Sequence, residues 1–362
     1  MNNANTLTSR QLMIMIILFS VGTTILVVPT LLVVEAKQDA WISGLAGISV
    51  GMILLWLYVK VGKRFEGANL FQINEIVLGK WLGMGINLLF ASLSTVLGAQ
   101  VLFYIGIFMT TQIMPTTPIQ AIHILMITIV VIGVKLGITN LARTAEIFFP
   151  WIVLFFFLLL IFIMPQVHVQ NMLPVGEASM KSIIRATSFI VSYSYIPLFL
   201  VYSLISPDTR FPINFAKSFY FGGLTSGMIL LAIAVLSVLV LGVDQSARQS
   251  YSTYALAKKI NVGNFLQRIE VTVAILWYIS IFFKLTLYFH TGLSGIAYMF
   301  RIQNYKVLAI PLGLIVIVFS LMVYPNKAYI QLWDQMTWIP LVIVFGIIHP
   351  IVILGISRLR GK

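Results

Sequence analysis

One basic side chain of this sequence lies in the middle of an apolar stretch. Lys284 occurs near the centre of VAILWYISIFFKLTLYFHTG, whereas the ten acidic residues fall in loops or at the ends of apolar stretches, so we expect no carboxylate at its depth. A charge at the centre of a membrane helix costs roughly 2.5–3.5 kcal/mol on insertion scales, which indicates a function. The ammonium could replace a coupling cation, contact the carboxylate of a ligand or switch its protonation state when it is desolvated. Tyr288, one turn later, lies on the same helix face.

A second feature is a group of helix-weakening residues inside the first apolar stretch. Gly22, Thr23 and Thr24 precede Pro29 in FSVGTTILVVP, and glycine and proline both destabilise a helix interior. Inside a bilayer the freed backbone groups have to be satisfied by neighbouring protein or by a water-filled cavity. Taken alone, this stretch is equally consistent with a simple proline kink.

A similar interruption follows in SFIVSYSYIPLFLVYS, where Ser192, Tyr193 and Ser194 stand before a proline. Paired interruptions in matching halves of a chain indicate a binding site at the membrane midplane in transporter folds. Facing half-helices expose backbone carbonyls and backbone amides, and the amide ends carry partial positive charge. We therefore expect the carboxylate of a bound amino acid on the amides of residues 22–25, and its ammonium against the carbonyls of residues 191–193.

The third apolar stretch supplies a candidate wall for this site. Leu97 and Val101 are one helical turn apart, and Gly98 beside them would let a ligand or another helix approach closely. Small residues also serve ordinary packing between membrane helices, which is the simpler explanation of Gly98. The candidate ligand-binding residues are Gly22, Thr23, Thr24, Leu97, Gly98, Val101, Ser192, Tyr193, Ser194, Lys284 and Tyr288.

The composition indicates an integral membrane protein. The 362 residues are 60% hydrophobic and 9% charged, with a mean hydropathy of +1.01, whereas a soluble domain carries about 25% charged residues. The net charge of +13 comes from lysines and arginines scattered through loops, which suits lipid headgroups and gives no basis for a nucleic-acid partner. Cysteine is absent, the four histidines lack a second ligand at metal-binding spacing, and no catalytic motif occurs. We expect no enzyme activity, cofactor or metal site.

Apolar stretches of about 20 residues, the length that crosses a bilayer, predict an all-α protein with ten transmembrane helices in a single polytopic membrane domain, 1–362. The interrupted spans 1 and 6 suggest a five-plus-five inverted repeat. Lysine and arginine are more frequent in the loops on the side of the N-terminus, so both termini are expected in the cytoplasm. The predicted spans are about 11–34, 41–59, 82–113, 119–138, 147–165, 182–205, 215–242, 270–299, 307–324 and 338–357.

Several short motifs follow one another along the whole chain. After the glycine–proline interruption of span 1 come Trp41, GKWLG at 79–83, TPIQ at 117–120, RIE at 268–270 followed by Trp277, and YP at 324–325. In order and spacing they resemble the B-subunit family of bacterial spore germination receptors, within the amino acid–polyamine–organocation transporter superfamily. This sequence departs from the family at Thr24, where a second glycine is common, and at Lys284, where lysine is unusual and indicates a different ligand.

The resemblance implies a LeuT-type fold with a ligand between spans 1, 3, 6 and 8. It also implies a nutrient sensor in the inner membrane of the spore, which acts with a multi-spanning A subunit and a lipoprotein C subunit. Germinants of the family are amino acids, sugars or nucleosides. By position, the resemblance places the break of span 1 at Gly22, Thr23 and Thr24, and pocket residues at Leu97, Gly98, Val101, Lys284 and Tyr288.

Three functions fit these features. The favoured one is a receptor subunit that binds a nutrient, preferably an amino acid, and signals to its partner subunits through a shift of the broken helices. The alternative is a secondary amino acid permease coupled to protons or sodium; buried carboxylates are scarce, although Lys284 could carry the proton. A channel is disfavoured because no charged ring or filter-like loop occurs. The connection 242–268 is expected to form part of the partner interface.

Overall fold

The structure, a computed structural model, describes residues 6–206, 209–260 and 269–360. The end of the connection 242–268, which was expected at the partner interface, and Arg268 of the RIE motif therefore lie outside the described residues.

Helices account for the membrane-spanning part of these described ranges. Nine helical stretches within them are long and apolar enough to cross a membrane, and the shorter apolar helix Ser9–Val21 precedes the nine. The first of the nine, Thr24–Arg64, turns at Lys37–Asp39 and so contains two spans. Joining Ser9–Val21 to the helix that follows it makes one interrupted span, and the total is ten, as predicted.

Most spans begin and end close to the predicted positions. Two shorter helices, Leu70–Leu78 and Ser252–Lys259, connect spans 2 and 3 and spans 7 and 8. The spans in order are Ser9–Val21 with Thr24–Ala36 (span 1), Ala40–Arg64 (span 2), Lys80–Ile113 (span 3), Ile119–Leu136 (span 4), Ile138–Ile163 (span 5), Met180–Leu204 (span 6), Phe215–Arg248 (span 7), Ile269–Met299 (span 8), Ala309–Met322 (span 9) and 327–359 (span 10).

Spans 5 and 10 begin earlier than the sequence predicted, because charged residues that were assigned to loops or span ends lie within helices. Glu146 of span 5 pairs with Arg10 at 3.3 Å and accepts a hydrogen bond from Gln11 at 3.1 Å. Asp334 of span 10 is buried and accepts a hydrogen bond from Tyr193. The expectation that every acid lies in a loop or at a span end is therefore wrong for Asp334.

Spans 6 and 8 form the centre of the bundle. In their apolar windows 72% and 78% of the residues are buried, compared with 11% in span 5. Span 8 packs along span 3, and both halves of span 1 pack against span 7. The outer spans present their apolar faces to lipid, where only helices with internally paired backbones are stable.

Span 1 is interrupted at Gly22. The first half ends there, where the Gly22 N–H donates to the Leu18 carbonyl at 3.0 Å, and the second half begins at Thr24. A β-carbon at Gly22 would lie 2.5 Å from Cδ and 2.9 Å from Cβ of Lys284. The glycine therefore leaves room for the lysine side chain. The first amides of the second half have no partner within their own helix.

Span 6 is interrupted by a change in its hydrogen-bonding pattern, without unwinding. An α-helix, Met180–Ile190, passes into a π-helical turn, Val191–Tyr195, and then into a 3-10 helix, Ile196–Leu204. Such changes of helix type are frequent at functional sites.

Hydroxyl groups from other spans are hydrogen-bond donors to the carbonyls at this interruption. The Ser20 hydroxyl of span 1 donates to the Ser194 carbonyl at 3.2 Å, and the Tyr58 hydroxyl of span 2 lies 3.0 Å from the Ile196 carbonyl. The interruption is thus stabilised by tertiary contacts, as a buried backbone requires.

A buried carboxylate joins the turn after span 1 to the loop before span 6. Asp39 is fully buried, and its two carboxylate oxygens accept hydrogen bonds from the backbone N–H groups of Gly176 and Ala178, each at 2.8 Å. Nearby, Arg185 of span 6 pairs with Glu35 of span 1 at 3.6 Å. The second half of span 1 and the first half of span 6 are therefore attached to each other at this end of the bundle.

Candidate functional site

A cavity lies where the interruption of span 1 meets span 6; spans 3, 8 and 10 and the connection before span 10 complete its walls. The space among these walls amounts to about 330 Å³, but most of it is too narrow for solvent, so the cavity admits little more than a water molecule. A larger ligand requires the walls to separate. The lining residues are Thr23, Leu97, Gln100, Val101, Tyr104, Tyr193, Lys284, Tyr288, Tyr324, Trp333, Asp334 and Trp338.

Lys284 connects three spans beside this cavity. Its Nζ donates to the Thr24 hydroxyl oxygen at 3.1 Å and to the Tyr193 carbonyl at 3.0 Å, and it lies 5.6 Å from the centroid of the Phe19 ring. The Thr24 hydroxyl donates to the same Tyr193 carbonyl at 3.3 Å. The lysine is only 2% exposed. Its ammonium is thus hydrogen-bonded to a span 6 carbonyl that the sequence analysis had assigned to the ammonium of a ligand.

Asp334 is the acidic residue of the cavity wall that the sequence analysis missed. It is 6% exposed, its Oδ1 accepts a hydrogen bond from the Tyr193 hydroxyl at 2.7 Å, and its Oδ2 accepts a longer one from Tyr104 at 3.4 Å. The polar sequence NKAYIQLWDQMTW resembles a loop, which is why span 10 was predicted to start later. Nothing local in the sequence marks the acid as buried; in the structure Trp333, Asp334 and Trp338 share the face of the helix that lines the cavity.

The predicted site residues divide into three groups: residues in the cavity wall, residues that contact Lys284, and residues behind the wall. Six line the cavity, and Gly22 and Thr24 contact Lys284 on its other side. The predicted residues in the cavity wall are Thr23, Leu97, Val101, Tyr193, Lys284 and Tyr288.

Gly98, Ser192 and Ser194 lie behind the cavity wall. A β-carbon at Gly98 would make only ordinary contacts with span 8, at 3.7 Å and 3.8 Å. The Ser192 hydroxyl donates to the Phe189 carbonyl at 3.1 Å and accepts from the indole N–H of Trp338 at 3.2 Å. The Ser194 hydroxyl is buried and has no hydrogen-bond partner among the described residues.

The sequence model of the family described as "Spore germination protein" matches residues 6–328. The chain belongs to the spore germination protein family. The family resemblance expected from the order of its motifs is therefore confirmed.

Three relatives illustrate the level of sequence identity within this spore germination family. Spore germination protein KB of Bacillus subtilis (strain 168) is 27% identical over 321 residues, 88% of this chain and 85% of that protein. Spore germination protein YndE of the same strain is 24% identical over 367 residues, 98% of this chain and 97% of that protein. Spore germination protein GerQB of Bacillus cereus is 25% identical over 254 residues, 66% of this chain and 65% of that protein.

A solved transporter has the same fold as this spore germination protein. Mhp1, a nucleobase-cation-symport-1 family transporter in a closed conformation with bromovinylhydantoin bound, matches with a TM-score of 0.68 at 12% identity. The match covers 94% of this chain and 79% of that chain. It confirms the LeuT-type fold with interrupted spans 1 and 6, and at this identity the likeness concerns the fold alone.

Proposed function

We propose that this chain is the transporter-like membrane subunit of a spore nutrient germinant receptor and that it binds a small nutrient in the cavity at mid-membrane. The observation that carries the proposal is the position of Lys284, whose ammonium joins Thr24 in span 1 to the Tyr193 carbonyl in span 6. A nutrient that enters beside Lys284 changes the contacts of both interrupted helices. Binding then shifts the equilibrium between their arrangements.

An amino acid is the nutrient that we propose, with a sugar or a nucleoside as the other classes implied by the family resemblance. The amide end of the second half of span 1 suits a carboxylate, and Thr23 at that end lines the cavity. The proposed ligand-binding residues, in the wall or shaping it from behind, are Gly22, Thr23, Thr24, Leu97, Gly98, Val101, Ser192, Tyr193, Ser194, Lys284 and Tyr288.

In this proposal the chain lies in the spore inner membrane, has both termini in the cytoplasm and signals to the A and C subunits. The described part of the connection 242–268 supports a role in signalling, because the Thr253 hydroxyl of its helix donates to the Ile25 carbonyl in span 1. Movement of span 1 would therefore reach this connection directly.

A secondary amino acid permease is the second candidate, and the transporter fold favours it. In related folds, carbonyl oxygens at interrupted helices coordinate the coupling ion. Here the ammonium of Lys284 already occupies a hydroxyl and a carbonyl oxygen at such a place. A permease of this sequence would therefore work without sodium.

Thermal-shift screening of the purified full chain against amino acids, sugars and nucleosides tests the proposed binding. We expect a saturable shift with one nutrient. Val101→Phe, which fills the cavity, should abolish the shift, whereas Leu89→Phe should retain it, because Leu89 lies on the same span but is 52% exposed to lipid.

The absence of any shift, both for the isolated chain and for its complex with the A and C subunits, would contradict nutrient binding, and an equal shift in Val101→Phe would contradict the location. Uptake into proteoliposomes separates the two functions. A receptor subunit binds the nutrient without accumulating it, whereas accumulation by this chain alone would establish the permease.

A further inference from the structure

Two ionisable side chains of opposite type line the same cavity without touching. Lys284 of span 8 is 2% exposed and Asp334 of span 10 is 6% exposed, so each is almost removed from water. The salt bridges among the described residues, Arg10–Glu146 and Arg185–Glu35, include neither of them. A buried charge without a partner is costly, and two such groups in one cavity require an explanation.

Tyr193 separates these two groups. Its carbonyl accepts a hydrogen bond from the ammonium of Lys284 at 3.0 Å, and its hydroxyl donates to the carboxylate of Asp334 at 2.7 Å. The ammonium and the carboxylate are therefore bound to opposite ends of one tyrosine, with the length of its side chain between them. They mark two poles of the cavity.

Each pole retains unused bonding capacity. An ammonium has three donors, and Lys284 uses two of them, to Thr24 and to Tyr193. A carboxylate has about four acceptor positions, and Asp334 accepts one short and one long hydrogen bond. One donor at one pole and acceptor positions at the other remain for a ligand.

We propose that the cavity selects a zwitterion, whose carboxylate binds the third donor of Lys284 and whose ammonium binds Asp334. This inference rests on the proposed function and narrows its ligand to an amino acid. The amide end of span 1 near Thr23 adds to the positive pole. Trp333 and Tyr324 in the wall are aromatic, so an ammonium that approaches the face of either ring gains cation–π attraction.

This assignment also gives the reason why neutral nutrients are excluded. A sugar or a nucleoside would enter the cavity with no charge to offer either pole, so Lys284 and Asp334 would stay unpaired. Buried polar groups that lose a partner produce strong discrimination between ligands. The carboxylate of Asp334, rather than the carbonyls of residues 191–193, is then the group that recognises the ammonium.

Three ligands with one carbon skeleton test the proposal on the unmodified full chain. L-valine has both charges, L-valinamide only the ammonium and 2-hydroxyisovalerate only the carboxylate; the corresponding alanine and leucine sets extend the series. We expect one of the zwitterions to bind about 30-fold or more tighter than either singly charged analogue. Analogues that bind as tightly as the zwitterion would overturn the proposal. Preferential binding of glucose or inosine would also overturn it but leave the proposed function intact. If no nutrient binds either the chain alone or its complex with the A and C subunits, the proposed function itself is refuted.

Variants identify which pole recognises which charge. Asp334→Asn should weaken the zwitterion about 30-fold or more and leave the hydroxy acid unchanged, so that the ratio of their affinities approaches one. Lys284→Met should weaken binding of the zwitterion by a similar factor and leave the affinity for L-valinamide unchanged.

The matched control is Glu75→Gln, because Glu75 also accepts a hydrogen bond from a tyrosine, Tyr298, at 2.8 Å, but lies outside the cavity. It should change no affinity. A variant of Asp334 that weakens all three ligands equally, or none of them, would assign the acid a structural role only. If neither cavity variant folds, the analogue series on the unmodified chain decides the question.

Discussion

Replacing Gly22 by alanine tests the contact between the interruption of span 1 and Lys284. The new β-carbon would lie 2.5 Å from Cδ of Lys284 and 2.9 Å from its Cβ, which is closer than β-carbons approach other atoms. The first contact can be relieved by rotation of the flexible side chain. The second cannot, because the Cβ of Lys284 is fixed to the backbone of span 8. The lysine and its helix must therefore move.

This movement breaks the hydrogen bonds from Nζ to Thr24 and to Tyr193, which are 3.1 Å and 3.0 Å long. A hydrogen bond from a charged group contributes about 1.5–3 kcal/mol, so the loss of both predicts a destabilisation of about 3–6 kcal/mol. Relaxation of the surrounding helices brings the expected value towards the lower end of this range.

The free energy of unfolding, measured by denaturant titration in detergent, should be compared for the wild type, Gly22→Ala, Lys284→Ala and the double variant. In the Lys284→Ala background Cδ and both hydrogen bonds of Nζ are already gone, and only the Cβ contact remains. The additional cost of Gly22→Ala should then fall by at least about 2 kcal/mol, which is the coupling expected of residues in contact. An equal cost of Gly22→Ala in both backgrounds would refute the reasoning.

Three further substitutions probe other parts of the structure. Gly98→Ala should leave stability unchanged or raise it by up to about 1 kcal/mol, because alanine favours the helix and its β-carbon meets only ordinary contacts; a clear loss in the same titration would contradict this. Asp39→Asn leaves one backbone N–H of the loop 173–179 without an acceptor, so limited proteolysis should cleave this loop faster than in the wild type; an unchanged cleavage rate would exclude the predicted loosening. Tyr58→Phe removes the hydroxyl that lies 2.8 Å from the Gly346 carbonyl and 3.0 Å from the Ile196 carbonyl, and should lower the free energy of unfolding by about 1–3 kcal/mol, whereas no change would mean that these carbonyls have other partners.

The interruptions of the helices could be predicted from sequence because glycine and proline act locally on the backbone. The reason for a glycine at position 22 could not be predicted, because the residue that needs the space, Lys284, lies in a distant span. The same limitation explains the missed start of span 5. Glu146 was assigned to the boundary of a span by its charge, and the partners that stabilise it within the helix, Arg10 and Gln11, belong to the start of the chain.

The candidate site, too, was predictable only where a residue has a local signal in the sequence. Lys284 was identified because a membrane penalises a charge whatever surrounds it. Asp334 was not, since an acid near the end of a polar stretch has no such local signal, and only the packing of span 10 against Tyr193 brings it to the cavity. The partner proposed for the ammonium of a ligand differs accordingly, because Lys284 already donates a hydrogen bond to the Tyr193 carbonyl.

The attachment formed by Asp39 has a mechanical consequence. Asp39 lies in the turn directly after span 1, and the two backbone amides that it binds lie in the loop directly before span 6. If the neighbouring halves of these spans separated, the buried carboxylate would lose its hydrogen-bond partners, which is costly. We expect these halves to swing as one lever, with its hinges at Gly22 and at the turn Val191–Tyr195. A neighbouring protein that contacts only the second half of span 1 would therefore also respond to a ligand that moves the first half of span 6, and the converse holds as well.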